Sequence, residues 1–238
     1  MERLFAADSI HKAYGARTVL TTASVWASPG VVTVVFGRNG CGKSTLLKIG
    51  AGVICADRGV VLFRGAAYLR PRLHRLAARG LFYLPDAGLL VPRMTLGEHL
   101  RVIQRRFGAT LHADDAADLD VAPLLDRPVR EYSGGEMRRA EVAVAVARNP
   151  VCLLADEPLA EIAPADGERL ARVLRRLAAR GCALVVTGHE VPALLHLADE
   201  VVWMTSGTTH GLGTAAQAST HDQFRREYLG AVWSPARR

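Results

Sequence analysis

The chain contains 238 residues, of which half are hydrophobic and 22% are charged, so it can bury the core of one large domain or of a core with an inserted subdomain. Its formal net charge of +7 would suit nucleic acid or an anionic membrane surface. The arginines, however, are spread over separate predicted helices without interleaved aromatic residues to stack bases, so we expect solvated charges and no nucleic-acid partner.

The sequence predicts a protein that stays in the cytosol. No apolar run is long enough to span a bilayer, because the longest candidate, Val142 to Leu154, is interrupted by Arg148, Asn149 and Pro150. The first residues, Met1 to Phe5, lack the apolar region of a signal peptide.

The first predicted elements are strands. Residues 4–28 are β-rich, with a strand from Val19 to Trp26 that ends at Ser28-Pro29-Gly30. Tyr14 precedes this strand, and it is either an ordinary strand-end tyrosine or an exposed aromatic residue that stacks on a ligand ring. A run rich in β-branched residues, Val31 to Phe36, predicts a buried central strand.

A glycine-rich loop follows this strand and leads into a predicted helix, Lys43 to Ala51. The loop fits G-x-x-x-x-G-K-[ST], the phosphate-binding P-loop, and its apolar flanking strand and helix argue against a chance match. Glycines let successive backbone N–H groups point at phosphate oxygens, and the helix aims its positive end at the same place. Lys43 would contact the β- and γ-phosphates, and Ser44 would offer its hydroxyl to Mg²⁺. The loop residues are Gly37, Arg38, Asn39, Gly40, Cys41, Gly42, Lys43, Ser44 and Thr45.

The four cysteines show no CxxC spacing, so neither a zinc site nor a disulfide framework is indicated. We expect Cys55, Cys152 and Cys182 to be small buried hydrophobic residues. Cys41 lies in the P-loop, where the positive helix end predicts a lowered pKa and a reactivity that bound nucleotide would block.

Shorter elements come next. Gly59 to Phe63 predicts a strand that ends in a hairpin turn at Arg64-Gly65. A short helix, Arg72 to Arg79, and a buried strand, Leu81 to Leu84, follow, and Pro85 ends that strand.

Residues 88–148 are predicted to form a helical subdomain inserted into a core made of residues 1–87 and 149–238. One capping box, Thr95 to Glu98, opens a helix that runs to about Phe107.

A second capping box opens another helix after an acidic, alanine-rich stretch with several turns, residues 108–131. It consists of Ser133-Gly134-Gly135-Glu136, and its helix runs to Ala147. Taken alone, this box is a plain capped helix start, but it is also a potential anion site because serine, two glycines and a helix N-terminus coincide.

The remaining chain alternates strands with helices, which implies an α/β fold with a mostly parallel sheet covered on both faces. The predicted strands are Val151–Ala155, Ala183–Thr187 and Val201–Met204, and the predicted helices are Ala165–Arg180, one opened by Pro192, and about Thr220–Leu229.

Two carboxylates follow the strand Val151–Ala155, at the strand end where ligands bind in open α/β sheets. Asp156 can hold Mg²⁺, usually through a water, and Glu157 can position or polarise an attacking water. Alone, a polar turn after a strand would explain both residues, but the P-loop upstream favours the functional interpretation.

Together with Tyr132-Ser133-Gly134-Gly135-Glu136 just before Asp156-Glu157, these motifs make the chain resemble ATP-binding cassette (ABC) transporter ATPases from Tyr14 to about Gly213. The resemblance is nearest to branched-chain amino acid importer and lipopolysaccharide-export ATPases. It implies a single ABC ATPase domain, residues 1–238, with a P-loop NTPase core, a mostly parallel sheet, an N-terminal antiparallel β subdomain and an inserted α-helical subdomain.

The resemblance also implies the site residues. Tyr14 would stack on adenine, and Gly37 to Thr45 would be the Walker A loop. The signature residues, Ser133, Gly134, Gly135 and Glu136, would bind the γ-phosphate held by the opposite subunit. Asp156 would be the Walker B carboxylate that holds Mg²⁺. Glu157 and His189 would be the catalytic carboxylate and the switch histidine, with Lys43 on the phosphates.

The partners follow from the same resemblance. It implies ATP and Mg²⁺ as cofactors, a second ABC ATPase subunit in a homo- or heterodimer, and separate membrane-spanning permease subunits. ATP binding would close the dimer and hydrolysis would reopen it, and the protein would lie peripherally on the cytoplasmic face of the membrane.

Two positions depart from the usual family pattern. Asp86 stands where glutamine is common, so it can still ligate Mg²⁺ but lacks the amide donor. Ala163 stands where aspartate usually precedes Pro164, although branched-chain importer ATPases often share both features. One alternative is a hydrolysis-poor partner in a heterodimer, which Glu157 and His189 oppose; another is a soluble non-transport ABC ATPase, which usually carries a second cassette or a long coiled coil.

Overall fold

The computed structural model describes residues 3–160, 162–189 and 191–229. In these residues the strands are β1 Phe5–Tyr14, β2 Arg17–Ala27, β3 Val32–Gly37, β4 Arg58–Phe63, β5 Ala66–Tyr68, β6 Leu81–Leu84, β7 Cys152–Ala155, β8 Ala183–Gly188, β9 Glu200–Thr205 and β10 Thr208–Gly213.

The helices lie between and after these strands. They are α1 Lys43–Gly50, α2 Leu73–Ala78, α3 Leu96–Phe107, α4 Ala113–Asp118, α5 Gly134–Ala147, α6 Pro164–Ala179, α7 Val191–Leu197, α8 Ala215–Thr220 and α9 Asp222–Phe224, with 3₁₀ turns at Ala122–Leu124 and Val129–Glu131 and a π-helical turn at Arg225–Leu229. None of the helices in the described ranges is long and apolar enough to cross a membrane.

The strands form one sheet in the order β5-β4-β1-β2-β10-β9-β3-β8-β7-β6. The neighbours from β9 to β6 pair in parallel, whereas β1, β2, β4 and β5 form antiparallel pairs. β10 connects the two parts, since it pairs antiparallel with β9 and in parallel with β2 at Thr208 and Thr22. The prediction of an α/β fold with a mostly parallel sheet and an N-terminal antiparallel region is therefore confirmed.

The central strands are apolar because both faces of the sheet are covered. Every residue of β3, β7 and β8 is buried. Side chains alternate along β3, so Val34 joins the hydrophobic cluster on one face and Val35 joins the cluster on the other. This double burial explains why the strands are nearly continuous apolar runs without a polar alternation.

Several short elements were missing from the sequence-based prediction, among them α8, β10 and α4. β10 follows β9 through a turn at Ser206 and Gly207, both with positive φ, and its residues are partly exposed and mostly polar or glycine. α4 lies in the acidic, alanine-rich stretch 108–131, for which the sequence predicted several turns but no particular helix. These elements are short, so their own periodicity is too weak to reveal them.

The helices α3, α4 and α5 lie between β6 and β7, as expected for an inserted helical segment, although the division into core and subdomain remains a prediction. Both predicted capping boxes are present, at Thr95 with Glu98 and at Ser133 with Glu136. Each serine or threonine oxygen accepts the N–H three residues later, and each glutamate accepts the N–H of the capping residue.

A buried carboxylate attaches α4 to α6. Asp115 is fully buried, and its oxygens lie 2.8 Å from Arg176 Nε and 2.9 Å from Arg180 Nη2. Asp118, one turn further along α4, accepts from Arg172 and Arg176. These pairs explain part of the arginine excess on α6, because those arginines neutralise an acidic helix.

Replacing Asp115 with alanine should lower the free energy of unfolding by about 3 kcal/mol, because two arginines would lose a buried partner. Urea denaturation followed by circular dichroism measures this change. Asp114→Ala removes an exposed carboxylate from the neighbouring position and should change stability by less than about 0.5 kcal/mol. Equal midpoints for the two variants would contradict the role assigned to Asp115.

Candidate functional site

The P-loop backbone requires glycine at specific positions. Gly42, the N-cap of α1, has φ 114°, and a Cβ there would lie 2.6 Å from Leu20 Cδ2. A Cβ at Gly37 would lie 2.5 Å from Cys41 Sγ and 2.8 Å from the Met204 carbonyl oxygen. Neither position has room for a side chain, and glycine allows the loop to curl tightly ahead of α1. The N–H groups at the start of this helix favour an anion.

Lys43 connects this loop to the end of β7. Its ammonium group is buried and donates to the carbonyl oxygens of Gly37 at 2.8 Å and Arg38 at 3.4 Å. The same nitrogen lies 3.2 Å from Glu157 Oε1. The P-loop cation and the carboxylate predicted to be catalytic therefore lie in direct contact.

Asp156 is the buried centre of a hydrogen-bond network. Its Oδ1 accepts from Ser44 Oγ at 3.0 Å and from Thr187 Oγ1 at 2.8 Å, and its Oδ2 accepts from the Tyr83 hydroxyl at 3.3 Å. Burial raises the pKa of Asp156 above its ordinary value, while the hydrogen bonds from Thr187 and Ser44 oppose that rise. Nearby negative charge on Asp86 raises the pKa further.

Tyr83 was not predicted as a site residue. It lies in β6 and pairs in register with Leu154 of β7, which brings its hydroxyl to the carboxylate two residues beyond. Burial and the neighbouring Asp156 charge raise the pKa of this phenol, so it acts as a hydrogen-bond donor at neutral pH. The sequence alone does not indicate this contact, because it depends on the pairing of β6 with β7.

The donor set fits a magnesium ion that takes its other ligands from phosphate and water. Ser44 and Asp156 offer a hydroxyl and a carboxylate 3.0 Å apart, and Asp86 is close enough to raise the pKa of Asp156. Among the described residues, no group of three or more His, Cys, Asp or Glu side chains could hold a metal by itself. Mg²⁺ keeps several waters and binds through one or two carboxylates plus substrate phosphates, which agrees with this set.

Glu157 adopts an unusual backbone conformation. Its φ is 46°, in the left-handed region that costs a non-glycine residue about 1–3 kcal/mol. Its N–H donates to Thr187 Oγ1 at 3.0 Å, and its Oε2 lies 3.3 Å from His189 Nδ1. The His189 side chain is 43% exposed, so the imidazole is in contact with solvent.

The signature segment forms a separate polar site at the start of α5. Glu136 Oε1 lies 2.8 Å from Arg127 Nη1, and Glu136 Oε2 accepts the Ser133 N–H at 2.8 Å. These contacts with Arg127 and Ser133 lower the pKa of Glu136 to about 2. The hydrogen bonds and ion pairs of Ser133 and Glu136 all involve the helical segment, and Gly134 and Gly135 open α5 beside them.

Three further positions that the sequence singled out lie on other elements. Tyr14 ends β1, is 51% exposed, and carries Lys12 over its ring at 5.3 Å. Asp86 is exposed after β6 and accepts the Ala87 N–H at 3.1 Å. Ala163 is the N-cap of α6 and provides no side-chain cap.

Arg138 was also missed by sequence reasoning. Its guanidinium donates to the carbonyl oxygens of Asp156 and Glu157, each at 2.7 Å. The sequence offered one weak signal, a charged residue two positions after the signature on the face of α5 that turns out to be buried.

A groove of about 950 Å³ lies elsewhere, between α6 and α7. Its polar lining includes Arg172, Arg175 and Arg176, which pair with aspartates, and it contains none of the P-loop residues. The chemistry therefore belongs to the P-loop and the ends of β7 and β8.

Comparison with known proteins identifies the family. A family model described as ABC transporter matches residues 20–160, more than half of the chain. The chain belongs to the ABC transporter family. It is 29% identical over 234 residues, 95% of this chain and 97% of the relative, to the lipopolysaccharide export system ATP-binding protein LptB of Haemophilus influenzae.

Solved structures agree on the fold. A nucleotide-free ATP-binding cassette from an ABC transporter superposes with a TM-score of 0.82 at 21% identity, covering 98% of this chain and all of that one. A dimeric post-hydrolysis structure of the cassette MJ0796, bound to ADP and Pi, gives a TM-score of 0.75 at 19% identity, with 87% of this chain and 98% of that one covered. This ABC ATPase is thus a nucleotide-binding, ATP-hydrolysing subunit of an ABC transporter, as the sequence predicted.

The cysteine predictions were only partly correct. Cys152 and Cys182 are buried, but Cys55 is exposed. The predicted low pKa of Cys41 is wrong: burial raises the pKa of this thiol, and the opposing influence of Lys43 and of backbone N–H groups is smaller. All four cysteines are free thiols.

At pH 8, iodoacetamide should alkylate Cys41 more slowly than it alkylates free cysteine, because a raised pKa leaves less thiolate. Its rate should continue to increase at pH values above the ordinary thiol pKa. Mass spectrometry of tryptic peptides measures the rate. The exposed Cys55 of the same sample is the internal reference, and a parallel sample of Cys41→Ser identifies the signal that belongs to Cys41. Faster labelling of Cys41 than of free cysteine would restore the original prediction.

Proposed function

We propose that this ABC ATPase binds Mg²⁺-ATP on its P-loop, hydrolyses it with Glu157 as the catalytic carboxylate, and works as a dimer that drives separate membrane permease subunits. One observation carries the proposal. Lys43 and Ser44 of the P-loop meet Glu157 and Asp156 at the end of β7, at 3.2 and 3.0 Å.

The P-loop would hold the phosphates. Residues 38–42 curl between β3 and α1, and Lys43 to Thr45 begin that helix, so that backbone N–H groups and the helix end attract negative charge. Lys43 would exchange its contacts with Gly37 and Glu157 for oxygens of the β- and γ-phosphates. The exposed ring of Tyr14 would stack on the adenine.

Ser44 and Asp156 would hold Mg²⁺, with Asp86 as a further ligand or as a partner of its bound water. When bound, the ion would neutralise charge that develops on the phosphate oxygens. Ser44, Thr187 and Tyr83 orient the Asp156 carboxylate by donating to it, so its acceptor oxygens have a fixed direction.

Glu157 would hold the attacking water and accept its proton. Its carboxylate touches Lys43 on one oxygen and His189 on the other, which fixes its direction relative to the phosphate site. His189 would contact the γ-phosphate from the opposite side and keep the water in line.

The signature would complete a site on a second copy or on a related subunit. The polar contacts of Ser133 and Glu136 stay within their own helical segment and do not extend to the P-loop of the same chain. Two half-sites on one protein suggest a head-to-tail pair in which each signature meets the partner's γ-phosphate. A carboxylate repels phosphate, but Arg127 neutralises Glu136.

The segment from Asp86 to Thr95 would receive the permease. Val91 is half exposed and Arg93 is exposed, so this segment offers an apolar and a positive contact. In this arrangement the protein lies peripherally on the cytoplasmic face of the membrane, carried there by the permease.

A hydrolysis-poor partner in a heterodimer is the second candidate. Asp86 brings an extra negative charge to the Asp156 site, and Ala163 lacks a side chain that could bond across a dimer. The intact contacts of Glu157 with Lys43 and His189 favour an active site instead.

Glu157→Gln should lower ATP turnover by roughly 100- to 10,000-fold, because it removes the proton acceptor, and should trap an ATP-bound dimer. A phosphate-release assay measures turnover, and light scattering after size exclusion measures the dimer. Glu168→Gln, an exposed change of the same type on α6, should behave as the wild type. Turnover by Glu157→Gln equal to the wild type would remove Glu157 from this role, and wild type that binds ATP without turnover would favour the heterodimer.

Arg93→Glu should abolish association with the membrane while turnover of the purified chain stays within about two-fold, because the change lies on the permease side of the molecule. Fractionation of cells that produce the permease measures association. Arg70→Glu reverses another exposed charge and should leave association intact. Normal membrane association of Arg93→Glu would reject this surface as the docking site.

A further inference from the structure

Arg138 is a buried charge beside the site, and it is only 5% exposed. Its guanidinium is fully engaged: Nε donates to the Pro158 carbonyl oxygen at 3.2 Å, Nη1 to that of Pro85 at 2.9 Å, and Nη2 to those of Asp156 and Glu157 at 2.7 Å each. A buried cation is tolerated only when it has such partners.

Three of these acceptors belong to the turn that carries Glu157. The turn is strained, since Glu157 has φ 46°, and its N–H is held from the other side by Thr187 Oγ1. Backbone conformations of this kind persist only where the surroundings determine them. Arg138 helps to fix this conformation because it binds the carbonyl oxygens of Asp156 and Glu157, the peptide groups before and after the Glu157 Cα.

Glu141 connects Arg138 to the segment that follows β6. It is 2% exposed, its Oε2 accepts from Arg138 Nη1 at 2.9 Å, and its Oε1 accepts from the Leu89 N–H at 3.2 Å. Leu89 lies in the segment Asp86–Thr95, and Pro85, also bound by Arg138, immediately precedes it.

We propose that Arg138 and Glu141 are positioning residues for Glu157: they hold the left-handed turn that aims its carboxylate, and they connect this turn to the segment that follows β6. The inference rests on the proposed role of Glu157 and deepens it. A shift of Leu89 changes the Glu141 contact, and Arg138 transmits that change to the carbonyl oxygens around Glu157.

The alternative is a purely structural role, in which the pair only satisfies buried polar groups where α5 packs against the turn. The two roles differ in what a substitution changes. A structural role affects stability and all steps alike, whereas a positioning role lowers kcat and leaves nucleotide affinity intact, because Arg138 does not touch the P-loop in its observed contacts.

The first experiment compares kcat and KM for ATP in the purified full chain. Arg138→Met removes every donor and should lower kcat about 100-fold, and Arg138→Lys keeps the charge but cannot reach all the carbonyl oxygens and should lower it about 10-fold. KM should change less than about three-fold in both. Arg70→Met removes an exposed positive charge and should match the wild type.

The second experiment tests whether Arg138 acts through Glu157. In a Glu157→Gln background, residual hydrolysis of radiolabelled ATP in single turnover should change less than about two-fold on adding Arg138→Lys, because the group it positions is already absent. An equal loss in both backgrounds would indicate a structural role and overturn the inference.

The third experiment follows amide hydrogen exchange by NMR. Glu141→Ala and Arg138→Lys should both speed exchange at the Leu89 and Glu157 amides, while amides of β8 such as Val185 keep the wild-type rate. Equal acceleration at Val185 would show general loosening of the core. Because this experiment uses Glu141→Ala and Arg138→Lys, it tests the inference even if Arg138→Met fails to fold.

The outcomes separate the inference from the proposed function. If Glu157→Gln retains wild-type turnover, the proposed role of Glu157 fails and the inference fails with it. If Glu157→Gln stops turnover while Arg138→Lys and Glu141→Ala match the wild type, only the inference fails.

Discussion

The site depends on three buried parallel strands that end side by side. In register, Phe36 of β3 pairs with Gly188 of β8, and Ala155 of β7 pairs with Val186 of β8. This alignment brings the P-loop, Asp156 and Thr187 to one edge of the sheet, where strand ends in α/β proteins bind ligands. Because both faces of these strands are buried, a slip by one residue would move apolar side chains to the wrong cluster, so the hydrophobic core fixes the geometry of the polar edge.

At that edge, charge is balanced among a few buried groups. Asp156 loses hydration, which raises its pKa, and recovers part of that cost from the hydroxyls of Thr187, Ser44 and Tyr83. Glu157 is balanced by Lys43, and the backbone carbonyl oxygens around it are balanced by Arg138. Each polar group thus has a partner from a different element, which explains how a strained conformation at Glu157 can persist.

The signature segment combines two requirements at one helix start. The capping box uses Glu136 to satisfy the Ser133 N–H, which favours a carboxylate at that position, while the proposed phosphate contact disfavours one. Arg127 reconciles the two because its guanidinium lies 2.8 Å from Glu136 and also binds the Glu131 carbonyl oxygen. The polar groups of Ser133 and Glu136 can therefore cap α5 in their own chain and also lie beside a phosphate bound to another chain.

Much of the fold was determined by local sequence. The P-loop, both capping boxes, the central strands and the carboxylates after β7 depend on residues that are neighbours in the chain, so spacing alone revealed them. Tertiary structure decided the rest, since these features depend on contacts between distant segments. Tyr83 and Arg138 reach the site only through strand pairing and helix packing, and burial of Cys41 outweighs the local positive charge that had suggested a low pKa. Local pattern specifies which groups a segment carries, but burial and charge partners arise only when the chain has packed.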